Sequence, residues 1–149
     1  MKRLLLATIT ALFLIAPATA DDKADKAKAD EFKALKSQWT VAKATLAGND
    51  ATDFLKVLEF TIHDDGKYTA KHGEEKDEGA FTLDLSATPK SMVIKPTGGP
   101  GKDKVLKAIY KLDGDALTIC YDMEGKVTPT KFESTAENKF LLVEYKRKK

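Results

Sequence analysis

The stretch IYKLDGDALTICYD, residues 109–122, decides the fold. Its second half alternates apolar Leu117, Ile119 and Tyr121 with other side chains. Successive side chains of a β-strand point to opposite faces, so this period of two predicts a strand with one buried face. Residues 112–115, Leu-Asp-Gly-Asp, form a short Asp-Gly turn of the kind that joins two antiparallel strands in a hairpin.

The same alternation recurs on both sides of this hairpin. Residues 58–63 and 81–85 each place apolar side chains at every second position, and a second Asp-Gly turn lies at 64–67. Shorter runs of the same kind are found at residues 68–71, 92–95, 105–112, 130–133 and 140–145. About eight or nine short antiparallel strands are typical of a β-barrel or a β-sandwich. The predicted class is therefore all-β.

Two of the runs are apolar on both faces, which predicts that part of the outer surface is covered. Residues 105–112 contain adjacent Ile109 and Tyr110, and residues 140–145 are apolar throughout most of their length. Phe32 and Leu35 have helical spacing, so we expect a short helix over 32–36. We expect this helix to pack outside the sheet, over the final strand.

The first twenty residues have the pattern of a cleavable signal peptide. A basic start at Lys2 and Arg3 precedes an apolar run over 4–15, and Ala18-Thr19-Ala20 supplies small residues before Asp21. The apolar run is shorter than the roughly 20 residues that span a bilayer. We therefore expect cleavage after Ala20, an extracytoplasmic location (periplasmic or secreted) and no membrane span after cleavage.

Composition divides the rest of the chain into a tether and one domain. Residues 21–31, DDKADKAKADE, have no large side chain to bury and predict a solvated, charged tether. The predicted boundaries are 1–20 for the signal peptide, 21–31 for the tether and 32–149 for a single domain, since a chain of this length supports one core.

The charge of the predicted mature chain gives no reason to expect a nucleic-acid partner. Without Lys2 and Arg3, 23 basic residues balance 23 acidic ones. The basic tail at 146–149 either contacts an anionic surface or keeps the last strand soluble. Cys120 is the only cysteine, so it is either a small buried apolar side chain or a thiol open to intermolecular pairing.

Several segments together resemble a known family. They are LKSQW (35–39), GKY (66–68), GAFTLD (79–84), IYKLDGDAL (109–117) and Cys120. Their order is similar to that of the planctomycetal lipocalin-like domain of unknown function, over residues 35–146. Ser37 stands where lipocalin-like barrels have a glycine two residues before the tryptophan. The resemblance implies an exported, lipocalin-like up-and-down β-barrel with a short N-terminal helix, and it implies no established ligand or activity.

No pattern of catalytic or metal-binding residues is present in the sequence. His63 and His72 lie outside any nucleophile motif, and the charged loop predicted over 72–78 lacks metal-ligand spacing. Residues 97–102, TGGPGK, lack the Ser or Thr that follows the lysine of a phosphate-binding loop, and they predict a flexible connection. We therefore expect two surface histidines, no enzymatic activity, no cofactor and no metal.

The interior of the predicted barrel is the remaining candidate site. If the strands close, inward-facing rings come from Trp39, Phe60, Phe81 and Tyr121. An eight-stranded barrel is either filled by its side chains or wide enough for one small ligand, and the sequence leaves both open. The first hypothesis is a non-enzymatic module that binds a small apolar ligand. The alternative is a filled barrel that acts as an envelope structural or protein-interaction module, with an envelope protein as its partner.

Overall fold

A computed structural model describes residues 19–149, so the predicted signal peptide lies almost wholly outside the described residues. The described part contains two helices, α1 (Ala20–Leu35) and α2 (Thr52–Leu55). Its strands are β1 (Ser37–Leu46), β2 (Asn49–Asp50), β3 (Leu58–Ile62), β4 (Lys67–His72), β5 (Glu75–Asp84), β6 (Ser91–Gly98), β7 (Leu106–Asp113), β8 (Ala116–Asp122) and β9 (Leu141–Arg147). Among residues 19–149, no helix is long and apolar enough to cross a membrane.

The strands form a closed antiparallel barrel. From β3 to β9 each strand pairs with the next one along the chain, and β1 pairs with both β3 and β9. This pairing closes eight strands into a barrel, to which the two-residue β2 is added beside β1. The predicted all-β, up-and-down barrel is therefore confirmed. Because neighbouring strands are antiparallel, each strand runs from one end of the barrel to the other, and the connections between strands start from these two ends.

The buried core lies inside the barrel, as the alternation predicts. In β8, Leu117, Ile119 and Tyr121 point inward, and in β5 Phe81 and Leu83 do the same. Other buried inward side chains are Trp39, Phe60, Ile62, Tyr68, Met92, Ile94, Ala108, Tyr110, Val143 and Tyr145. The period of two in the sequence thus corresponds to the inner and outer faces of the wall.

The N-terminal helix is longer than the predicted helix over 32–36. It begins at Ala20, where Thr19 and Asp22 form a capping box, and the ion pair Lys26–Asp30 (2.6 Å) links successive turns. Residues 19–30 are exposed, so the predicted tether is solvated but helical. Alanine and lysine favour helix, and oppositely charged pairs four residues apart add to it.

The outer face of the barrel is covered by a different segment from the one predicted. The helix α1 lies across one end of the barrel, not over β9, and its Glu31 pairs with Lys90 just before β6 (2.8 Å). The side chains of Ile109 and Cys120 are buried and point outward, and Cys120 lies under residues 123–140, where its Sγ is 3.5 Å from the carbonyl oxygen of Glu133. Residues 130–133 belong to this covering segment, so the strand predicted there is wrong.

Candidate ligand site

One end of the barrel is closed by α1 and by Trp39. The indole is fully buried, and its Nε1 donates a hydrogen bond to the carbonyl oxygen of Leu35 (3.0 Å). The guanidinium of Arg147 lies 4.5 Å from the centre of the Trp39 ring and donates to the carbonyl oxygens of Ala34 and Lys36. These contacts tie the helix, the first strand and the last strand together.

This role of Arg147 was missed by the sequence interpretation. The residue belongs to the tail at 146–149, which we expected to contact an anionic surface or to keep the last strand soluble. Its side chain is 26% exposed and also bonds Asp115 (3.2 Å). Arg147 is the last residue of β9, where it pairs with Trp39 on β1, and nothing in the sequence indicates this pairing.

The other end of the barrel contains an open cavity of about 200 Å³. Its wall is almost wholly apolar, formed by Leu55, Leu58, Phe60, Tyr68, Ala70, Phe81, Ile94, Leu106, Tyr121, Met123, Leu141, Val143 and Tyr145, with Asp77 as the one charged member. The cavity reaches the surface beside Met123, whose side chain is 46% exposed. The barrel is therefore filled at the Trp39 end and hollow at the opposite end.

The structure brings three of the four predicted interior residues into the cavity wall. Phe60, Phe81 and Tyr121 line it, whereas Trp39 is buried at the closed end and is not a lining residue. Tyr68 stacks on Phe81 with ring centres 4.9 Å apart. Phe60 meets the same phenylalanine edge to face at 6.2 Å. The aromatic wall is thus preformed by contacts among its own rings.

A pair of tyrosine hydroxyls gives the cavity a hydrogen-bonding group that the sequence did not indicate. The hydroxyl oxygens of Tyr121 and Tyr145 are 2.9 Å apart and buried. Burial raises the pKa of both phenols well above the usual value, so both stay protonated at neutral pH. One hydroxyl hydrogen lies between the two oxygens, and the other can be donated to an acceptor on a ligand.

Asp77 is the second polar group of the cavity. It lies on the same face of β5 as Phe81, and its Oδ1 is buried. That atom is the one buried side-chain oxygen or nitrogen in residues 19–149 with no hydrogen-bond partner. Burial raises the pKa of Asp77, and the N–H groups of Gly101 and Glu78 offset part of the rise. The run predicted as a charged loop over 72–78 is instead the tight end of the β4–β5 hairpin.

The glycine-rich segment predicted as a flexible connection packs closely on Asp77. A Cβ atom at Gly99 would lie 2.3 Å from the carbonyl oxygen of Lys76, and one at Gly101 would lie 2.8 Å from Oδ2 of Asp77. Gly99 also has a φ of +88°, which other residues rarely adopt. Glycine at these positions thus lets the β6–β7 connection lie against the carboxylate.

The rim of the cavity carries exposed apolar side chains. They are Leu46, Phe54, Val57, Val105, Met123 and Val127, and they are the large hydrophobic side chains exposed within residues 19–149. All six lie at strand ends or in connections at the open end. The helix α2 is held there by Nε2 of His72, 3.0 Å from the carbonyl oxygen of Phe54. His63 is exposed as predicted, whereas His72 is half-buried.

Comparisons with known proteins add no family assignment to this geometry. No family model, curated protein or solved structure matches the chain. The likeness to the planctomycetal lipocalin-like domain therefore stays a prediction. Within the described range, 19–149, no group of three or more His, Cys, Asp or Glu side chains could hold a metal ion.

Proposed function

We propose that this protein is a non-enzymatic binding module for a small, largely apolar molecule that occupies the open half of the barrel. The observation that carries this proposal is the cavity of about 200 Å³ with an apolar wall. Burial of apolar surface is the main driving force for binding in such a site. The aromatic wall needs little rearrangement, because Phe60, Phe81 and Tyr68 already pack against one another.

The size of the cavity limits the ligand. An empty apolar cavity of ~150 Å³ admits benzene, so this one has room for roughly eight non-hydrogen atoms. A six-carbon chain gains about 0.8 kcal/mol for each buried methylene, or about 5 kcal/mol in all. That free energy corresponds to a dissociation constant on the order of 0.1–1 mM. A larger natural ligand would extend past the rim and contact its exposed apolar side chains.

The test is a titration of the isotopically labelled protein with 1-hexanol, followed by methyl and amide NMR shifts. We expect saturable shifts confined to the open half, including Ile94 and Val143. The variant Ala70→Phe places a ring in the cavity wall and should abolish them. The control Ala80→Phe puts the same ring on the exposed outer face of β5 and should bind like the parent. Saturable binding that Ala70→Phe leaves unchanged, or no binding by the parent, contradicts the proposal.

We further propose that the protein acts outside the cytoplasm, after cleavage behind Ala20. The support is the basic start, the apolar run and the small residues of the sequence. Amino-terminal sequencing of protein from the cell envelope or medium should begin at Asp21. Recovery of the chain with Met1 intact would contradict export by this route.

A second candidate function is docking to an envelope protein, which the apolar rim favours. Exposed apolar side chains gathered in one place are typical of interaction sites. Phe54 is 69% exposed, although its ring lies 4.8 Å from that of His72, and Val57 is 55% exposed. In this case native mass spectrometry of protein purified from its own cells should show a protein partner at fixed stoichiometry, and Phe54→Ser should release it. Retention of that partner by Phe54→Ser would contradict docking at the rim.

A further inference from the structure

The charge of the cavity restricts which ligands it accepts. Asp77 is its one charged lining residue, and neither Lys nor Arg is among the side chains of the wall. A second cleft beside it is lined by His72, Glu75, Pro100 and the same Asp77, again without Lys or Arg. A ligand carboxylate placed there would face another carboxylate in a poorly solvated site, which is strongly unfavourable. The usual anionic head group of a fatty acid therefore does not fit.

One oxygen of the Asp77 carboxylate lacks a hydrogen-bond donor. Its buried Oδ1 has no partner in the described structure, and an unpaired buried polar atom costs free energy that a suitable donor recovers. Gly99 and Gly101 pack against the two carboxylate oxygens, since a Cβ atom at either glycine would lie 2.8 Å from one of them. A charged pair formed there is less screened than one at the surface.

We infer that the ligand carries an amine, and that its ammonium group pairs with Asp77 while its apolar body fills the cavity. This inference rests on the proposed function, because it names the chemical class of the molecule bound in the same cavity. A hydrogen bond between an ammonium and a carboxylate is roughly twice as strong as one between neutral groups. Burial is the first cause of the raised pKa of Asp77, and an ammonium group beside the carboxylate would lower that pKa.

The inference is tested with three probes that share one alkyl chain: hexylamine, 1-hexanol and hexanoate. Each is titrated at neutral pH into the full mature protein, and binding is followed by NMR shifts. We expect hexylamine to bind about tenfold or more tightly than 1-hexanol, since a charged hydrogen bond contributes about that factor. Hexanoate should bind more weakly than 1-hexanol or show no saturation.

Two variants locate the selectivity. In Asp77→Asn the ratio of the hexylamine affinity to the 1-hexanol affinity should fall to within about twofold, because the charged pair is lost. The control Glu78→Gln removes the adjacent carboxylate, which is exposed on the outer side of β5 and does not line the cavity. It should retain the preference for the amine.

The outcomes separate this inference from the proposed function. If 1-hexanol binds and hexylamine binds no tighter, the amine assignment is wrong and the apolar cavity remains. If hexanoate binds tighter than 1-hexanol, the charge argument is also wrong. If none of the three probes binds, the proposed function itself fails. The comparison of the three probes on the parent protein needs no variant, so it stands even if Asp77→Asn does not fold.

Discussion

Replacing Trp39 with alanine should remove much of the stability of the barrel. The ring is fully buried, and truncating such a side chain typically costs about 3 to 5 kcal/mol. That range includes loss of the hydrogen bond from Nε1 to Leu35, which is worth about 1 kcal/mol by itself. Arg147 also loses the ring beneath its guanidinium, for about 0.5 to 1 kcal/mol. The total is a large share of the stability of a domain of this size, about 5 to 15 kcal/mol.

The assay is urea unfolding followed by far-ultraviolet circular dichroism, since the variant lacks the only tryptophan of the chain. Phe54→Ala is the matched control, because it truncates an aromatic ring that is 69% exposed, and we expect a change within about 0.5 kcal/mol. Trp39→Phe should fall between the two, since it keeps a ring but removes the donor to Leu35. In the parent, tryptophan emission should be at short wavelength and shift red on unfolding. A Trp39→Ala variant that unfolds at the urea concentration of the parent would refute this account of the closed end.

Four further predictions concern other parts of the chain. Asp122→Ala should destabilise the fold by about 2 to 4 kcal/mol in urea unfolding at pH 7, because the carboxylate accepts hydrogen bonds from three backbone N–H groups that begin the covering segment. Burial alone would raise the pKa of Asp122, but the three hydrogen bonds outweigh it, so the pKa is lowered in the folded chain. The stabilisation from Asp122 should be fully present above the unfolded pKa of about 3.9. It should disappear as the pH falls through the lower folded pKa. Asp77→Asn should raise the urea midpoint at pH 7, because burial raises the pKa of Asp77 in the folded chain and its ionisation costs stability as the pH rises from the unfolded pKa to the folded pKa. The titratable groups that act on Asp77 are Tyr68, Glu78 and Lys104. An unchanged or lower midpoint would count against this. The Cys120 thiol should resist a disulfide reagent in the folded protein and react on unfolding, because burial raises its pKa to about 11; fast labelling of the native chain would contradict this. Deleting residues 21–30 should shift the thermal midpoint by no more than a degree or two. Glu31→Gln weakens the bonds to Lys90 and Tyr110 and should lower the thermal midpoint by several degrees, since a loss of roughly 1 kcal/mol has that effect in a small domain.

The barrel could be predicted from the sequence because each strand carries its own evidence. Alternation sets the inner face, and Asp-Gly turns at 64–67 and 112–115 set which strands are neighbours. The helix over 20–30 could not be recognised from apolar spacing, since that part of α1 is exposed. Its signals were the pair Lys26–Asp30 and the cap at Thr19, which are local and charged.

The cavity could be predicted only in part. Phe60, Phe81 and Tyr121 occupy the alternating positions of their strands that face inward, so any barrel with these strands has them inside. The space between them depends on how side chains from all strands pack together. Extending the alternation of β5 towards its start would have found Asp77, because it lies four residues before Phe81 and therefore on the same face of the strand. Its place in a charged run hid that signal, since charged runs are usually solvated.

The cover over the outer face was misassigned because two explanations fit the same pattern. Apolar residues on both faces of a strand show that something covers it, not which segment does so. The sequence of 123–140 has no regular period, and its position depends on a few specific contacts such as Cys120 with Glu133 and the backbone bonds of Asp122. Contacts of this kind become visible only in the folded chain.

Native mass spectrometry of the protein purified from its own cells tests the central claim most directly. We predict a native mass that exceeds that of the bare polypeptide by the mass of one small molecule, which is lost on denaturation. The Ala70→Phe variant, purified in the same way, should lack the added mass, and Ala80→Phe should retain it. A native mass equal to that of the polypeptide alone in all three proteins would contradict a ligand in the barrel.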